Sequence, residues 1–144
     1  MTEFTTEPDF EALAMRVIDT TLPRDAWTHT AHFALALWIL RHRPDLGDPG
    51  RFRELIVRLN DAHGTPNTED SGYHHTITVA SLRATRALLA QHPPTTPLVP
   101  ILAELLAGPY ARPDWIFAYW SPARLFSAHA RREWVEPDVS ELPF

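Results

Sequence analysis

No cysteine occurs in the 144 residues, which excludes disulfides, thiolate nucleophiles, iron–sulfur clusters and zinc–thiolate sites together. Histidine and carboxylate remain as the strong metal ligands. Lysine is absent too, all 13 cations being arginine, so a protein Schiff base and the usual anchoring of pyridoxal phosphate are excluded. Long apolar runs are missing: the most apolar stretch, Phe33–Leu40, is far too short to span a bilayer. The acidic N-terminal stretch lacks the basic and apolar regions of a secretory signal, which sets the expectation of a cytoplasmic protein with no membrane partner. Excess positive charge is also lacking. A net charge of −5 and a pI near 5.9 argue against a nucleic-acid partner, since phosphate binding needs clustered cations. No segment sustains the alternation of a β-strand, and no internal repeat is present.

What is there is ordinary for one soluble domain: 44% hydrophobic and 22% charged residues, in a chain long enough to bury roughly 70% of its unfolded surface. The expectation is a compact all-α, single-domain bundle of five to seven helices over residues 1–144, with a loose tail at Met1–Thr6. Pro8 with Phe10, Leu13, Ala14, Val17 and Ile18 marks a first amphipathic helix. Thr28 caps a second, to about Arg43, apolar at nine of the ten positions Ala31–Leu40 and therefore the most buried. Phe52, Leu55, Ile56 and Leu59 build a third, ending at Gly64. A fourth is predicted over 72–91, with Thr76, Val79, Arg83, Arg86 and Ala90 on its solvated side. Thr96 should cap a fifth, from Pro97 or Leu98 to Ala107. Short helices follow around Asp114–Trp120, Ser121–Phe126 and Ser127–Val135, and 136–144 forms an extended tail.

Histidines carry the functional signal. At helical spacing His29 and His32 share the inner side of the second helix with Ala36, Ile39 and Leu40, while Thr30, Ala34 and Arg41 lie outside. In the fourth helix His74 falls at the middle of the apolar arc, followed down one line by Thr78, Ser81 and Thr85. His75 lies at the edge of the solvated side rather than in that line. His63 sits on the apolar side of the third helix's last turn, beside the polar loop Gly64–Ser71, which holds Asn67, Glu69 and Asp70. Two imidazoles at offset three can meet one ion, and a third from a facing helix is how metal sites in bundle cores are made.

Each feature has a plainer structural reading. A buried imidazole commonly bonds a backbone carbonyl or hydroxyl. The Thr78/Ser81/Thr85 seam can pack closely while bonding back to its own helix. Asn67 can serve a turn, and Tyr73 the core. His42, His92 and His129 read as surface residues. Arg124, Arg131 and Arg132 can grip an anion or pair with Glu133, Glu136 and Asp138. Trp115, Phe117, Tyr119, Trp120 and Phe126 read as a packing layer, or as the wall of an apolar pocket.

The segments Trp27-Thr28-His29-Thr30-Ala31-His32, Gly72-Tyr73-His74-His75-Thr76-Ile77-Thr78 and Tyr119-Trp120-Ser121-Pro122, with Glu136-Pro137-Asp138 and Leu142-Pro143, resemble a group of small bacterial helical proteins. The resemblance spans about residues 25–144 and brings no reaction with it. In that group a Glu commonly follows the histidine of the Tyr-His motif, where this chain has His75. The resemblance implies that His29, His32 and His74 act as a unit.

The functional expectation is a small metal-dependent enzyme acting on a small-molecule substrate. His29, His32 and His74, with His63 nearby, would hold a divalent zinc, iron or copper ion that activates water or polarises a substrate oxygen. Glu69, Asp70 or His75 would move a proton, and Asn67, Thr78 and Arg124 would contact substrate. Two alternatives use the same residues: a metal-free isomerase or lyase with His74 and Tyr73 as acid–base pair, and a non-enzymatic binding module. A homo-oligomer is left open.

Overall fold

In the computed structural model, residues 4–144 are described. Seven α-helices and four short 3-10 segments form an all-helical fold, with no strand among the described residues. Helix α1 spans Glu7–Ile18, α2 His29–His42, α3 Pro49–His63, α4 His75–Leu89 and α5 Leu98–Leu106, followed by the short α6, Pro122–Leu125, and α7, Ala128–Arg132. No helix among the described residues is long and apolar enough to cross a membrane.

The apolar run of α2 makes it the central element: every residue from Ala31 to Ile39 except His32 is buried, and α1, α4 and α5 all pack on it. Ala34, expected on the outer side, is fully buried, because a helix contacted on three sides has almost no outer face left. Thr28 caps α2 as expected, its hydroxyl accepting the Ala31 N–H at 3.1 Å. Helix α3 closes at Gly64, whose φ of 73° is the left-handed conformation of a helix C-terminus.

Two caps come from elsewhere in the chain. Thr96 does not cap α5; the Glu7 carboxylate does, accepting the Leu98 and Val99 N–H groups at 2.8 and 2.9 Å. A carboxylate at a helix N-terminus also complements its dipole. The expected loose tail is corrected at Phe4, which is buried against Phe10 with ring centroids 5.3 Å apart; Met1–Glu3 lie outside the described residues.

Helix α4 starts at His75, three residues later than expected, since His74 is its extended N-cap. Thr76 and Val79, expected in solvent, are buried because the C-terminal segment covers that side. The Thr76 hydroxyl lies 2.7 and 2.8 Å from the Ala130 and Glu133 carbonyls and accepts the Val135 N–H at 3.3 Å, holding the end of α7 and the chain beyond it. Trp120 is fully buried and donates Nε1–H to the Val135 carbonyl at 3.1 Å. Of the expected aromatic layer, Trp115 and Trp120 are buried, whereas Phe117 and Phe126 are exposed and stack edge-to-face on each other. The tail after Glu136, expected to be extended, carries a bend at 138–140 and ends with Phe144 packed against the core near Tyr110.

Candidate functional site

Four of the eight histidines touch backbone carbonyls, and a carbonyl can only accept, so each contact assigns a proton to one ring nitrogen. His29 donates Nε2–H to the Tyr110 carbonyl, His32 Nδ1–H to Thr28, His63 Nε2–H to Leu22 and His74 Nε2–H to Leu125, each at 2.7 Å. In the neutral ring the opposite nitrogen is then a lone pair. For His74 that lone pair is used: Nδ1 accepts the Ile77 N–H at 3.2 Å and caps α4. For His29, His32 and His63 the second nitrogen has no protein partner among the described residues.

His32, His63 and His74 line one cleft of about 380 Å³ between the start of α2, the end of α3 and the start of α4. Its wall also includes Arg24, Trp27, Asn60, Tyr73 and Thr78. His29, although one turn from His32, is not part of it; its ring meets Phe33 edge-on at 5.3 Å and holds the Tyr110 carbonyl. Residues at offset three diverge enough around a helix for one to face the cleft and the other the aromatic cluster. Among the described residues no group of three His, Asp or Glu side chains is disposed to hold one metal ion.

His32 is the most exposed of the cleft histidines and the most firmly oriented. Its ring stacks on Trp27 with centroids 3.7 Å apart, and Nδ1–H is tied to its own helix start. Crowding by protein atoms pushes its pKa down to about 4, opposed by the Thr28 carbonyl and assisted by His29. Water in the open cleft reaches more than a third of the residue and tempers that desolvation, so the direction is what matters: the ring is neutral at pH 7. His74, 8% exposed, is lowered by burial first, against the Leu125 bond, with Arg131 adding to the fall.

Tyr73 pairs with His75 rather than His74. Its hydroxyl lies 2.8 Å from His75 Nδ1, and burial pushes the phenol up to about 12, so it stays protonated and is placed to donate. His75 is itself lowered, by burial and then by Arg53, with Glu133 opposing.

The remaining candidates are spread out. Glu69 and Asp70 are exposed and lie outside the cleft wall: Glu69 pairs with Arg132 at 3.4 Å and Asp70 accepts from the Thr68 hydroxyl at 2.9 Å. Asn67 organises the loop, its Oδ1 accepting from Asn60 Nδ2 and from the Tyr73 N–H, both at 3.0 Å. Thr78 reaches the cleft wall, but its hydroxyl bonds back to the His74 carbonyl at 2.8 Å, as Ser81 and Thr85 bond back to Ile77 and Ser81. Arg124 is exposed, lies outside the cleft wall and donates Nε–H to the Glu136 carbonyl at 2.6 Å. Of the residues read as surface, His42 and His129 are exposed and His92 is half-buried, 3.3 Å from Glu104.

Gly72 fixes the loop that roofs this region. With φ at 80°, an added Cβ would lie 2.3 Å from the Pro66 carbonyl oxygen and 2.7 Å from Asn67 Oδ1.

Two wall residues went unread in the sequence. Asn60 is 8% exposed on the apolar side of α3, four residues after Ile56 and three before His63, a polar interruption that helical spacing marks. Arg24 carries no such signal. It sits in a 3-10 turn, and its guanidinium reaches the Thr65 hydroxyl at 2.6 Å on the opposite side. No family model, curated protein or solved structure matches this chain.

Proposed function

We propose that the cleft binds a small polar molecule and that His32 removes a proton from it, making the chain a metal-free acid–base catalyst of the isomerase or lyase kind. The observation supporting this reading is the state of His32. Its Nδ1–H is anchored to Thr28, its ring is held on Trp27, and its Nε2 lone pair is unpartnered in a residue lining the cleft. A lowered pKa keeps that lone pair free at neutral pH, while reducing base strength. The proton taken up by His32 Nε2 is returned from that same nitrogen, and His63 Nδ1, a second lone pair in the same wall, accepts a hydrogen bond from a ligand hydroxyl. Arg24 supplies positive charge to the wall and favours an anionic ligand, such as a small carboxylate with an acidic C–H.

The test is exchange in heavy water. A panel of small carboxylates and hydroxy or oxo acids is incubated with the protein, and deuterium entering a C–H position is followed by proton NMR. At least one compound should exchange, and His32→Gln should slow it by about 10²–10⁴-fold. No exchange with any compound, or exchange indifferent to His32→Gln, overturns the catalytic reading; saturable binding without exchange favours the binding module.

The metal reading asks for a different convergence. His74 uses both nitrogens and His29 lies outside the cleft, so His32 Nε2 and His63 Nδ1 are the two imidazole donors left in its wall. Elemental analysis after equilibration with zinc, iron or copper and dialysis should find well under one ion per chain. Stoichiometric metal, lost in a His32→Ala/His63→Ala double variant, would replace the acid–base reading.

A further inference from the structure

On the other side of Tyr73 lies a second concavity of about 270 Å³, walled by Arg53 of α3, Arg131 and Arg132 at the end of α7, and Asn67, Thr68 and Glu69 of the loop. In a chain of net charge −5, three guanidiniums here face one carboxylate, Glu69. Of the other acids near this face, Asp61 accepts from Asn67 Nδ2 at 3.3 Å, Asp70 is engaged by Thr68, and Glu133 lies 3.8 Å from His129.

The guanidiniums are held apart by bonds that leave donors over. Arg53 donates one N–H to the Arg132 carbonyl at 2.9 Å and lies over the Tyr73 ring, 5.2 Å from its centroid. Arg131 gives one terminal nitrogen to the Gly72 and Tyr73 carbonyls, at 3.2 and 3.4 Å, and its buried Nε–H has no partner among the described residues. Among the described residues the Arg132 guanidinium meets only the exposed Glu69, at 3.4 Å. A buried N–H without an acceptor is costly, and guanidinium forks match the oxygens of phosphate and carboxylate groups. Three positive charges lining one concavity exceed what one carboxylate needs and suit a doubly charged oxyanion.

We propose that the Arg53/Arg131/Arg132 notch binds a phosphate group, either inorganic phosphate or the phosphate of a small monoester. Glu69 is the internal carboxylate that such a group displaces from Arg132. Arg131 joins the site to the loop, because the guanidinium that would face the phosphate also holds the carbonyls of Gly72 and Tyr73. This assignment stands on the notch alone and is independent of the reaction read from the imidazole cleft.

The experiment is an NMR titration of the full chain at constant ionic strength, chloride being exchanged for inorganic phosphate, glycerol phosphate or acetate. Both phosphates should shift the amides of residues 67–73 and 131–132 saturably, with acetate at least about tenfold weaker. Loss of one charge-assisted contact in Arg132→Gln should weaken phosphate binding about tenfold. Glu69→Gln, which removes the competing carboxylate, should tighten it, and Arg112→Gln elsewhere on the surface should change nothing. Shifts that grow linearly without saturating, acetate binding as tightly as phosphate, or an unchanged affinity in Arg132→Gln would each overturn the assignment.

Discussion

Replacing His74 by alanine tests whether this imidazole belongs to the frame of the site. The side chain makes two bonds of different kinds: Nδ1 caps α4 through the Ile77 N–H, and Nε2–H satisfies the carbonyl of Leu125, a fully buried residue. Loss of an N-cap costs about 1 kcal/mol, and a buried carbonyl left without a donor costs about 1–3 kcal/mol. His74→Ala should therefore destabilise the fold by about 2–4 kcal/mol, a large share of the roughly 5–15 kcal/mol typical of a domain. Asparagine is a good N-cap but too short to take over the bond to Leu125. His74→Asn should accordingly recover about 1 kcal/mol of the loss. Urea unfolding followed by circular dichroism gives both values, provided the denaturant slope stays constant. A loss below about 1 kcal/mol, or an asparagine variant no better than alanine, would refute the claim that both ring nitrogens carry structural bonds.

Acid should destabilise this protein in the range where histidine titrates. His32, His74 and His75 all have folded-state values below the ordinary 6.5, so the unfolded chain binds more protons below that pH. Stability should be complete above about pH 6.5 and fall as pH drops through the folded values, the lowest near 4 for His32. The slope from His74 is at most about 1.4 kcal/mol per pH unit, with smaller shares from the more exposed pair; urea midpoints that stay flat from pH 7.5 to 4.5 would contradict this. Thr76→Val keeps the shape of a fully buried residue but strips the partner from the Ala130 and Glu133 carbonyls and the Val135 N–H, and should cost about 1–3 kcal/mol by the same urea assay. Gly72→Ala forces the loop off the Pro66 carbonyl and should cost at least about 1 kcal/mol, with the Asn67 and Tyr73 amide signals moving most.

Helix identity was legible because periodicity and capping are local. The apolar run of α2, the Thr28 cap and the Gly64 stop each follow from a few neighbouring residues, and the structure places them as expected. Errors of face arose where a distant segment covers a helix: Ala34, Thr76 and Val79 are buried by partners that no local window contains. The cap of α5 fell to Glu7, about ninety positions away, for the same reason.

By itself, the sequence determined that the fold is helical, that thiolate and lysine chemistry are absent, and that histidines interrupt otherwise apolar faces. Helical spacing says that an imidazole points inward, but not which of its nitrogens meets a carbonyl. That depends on backbone supplied by Tyr110, Leu22 and Leu125, from other parts of the chain. Tertiary structure alone therefore decided that His74 is a cap, that His29 leaves the cleft, and that His32 and His63 keep a nitrogen without a protein partner. The physical reason is that a hydrogen bond fixes a tautomer only when its acceptor is in place, and the acceptors of His29, His63 and His74 are brought there by packing.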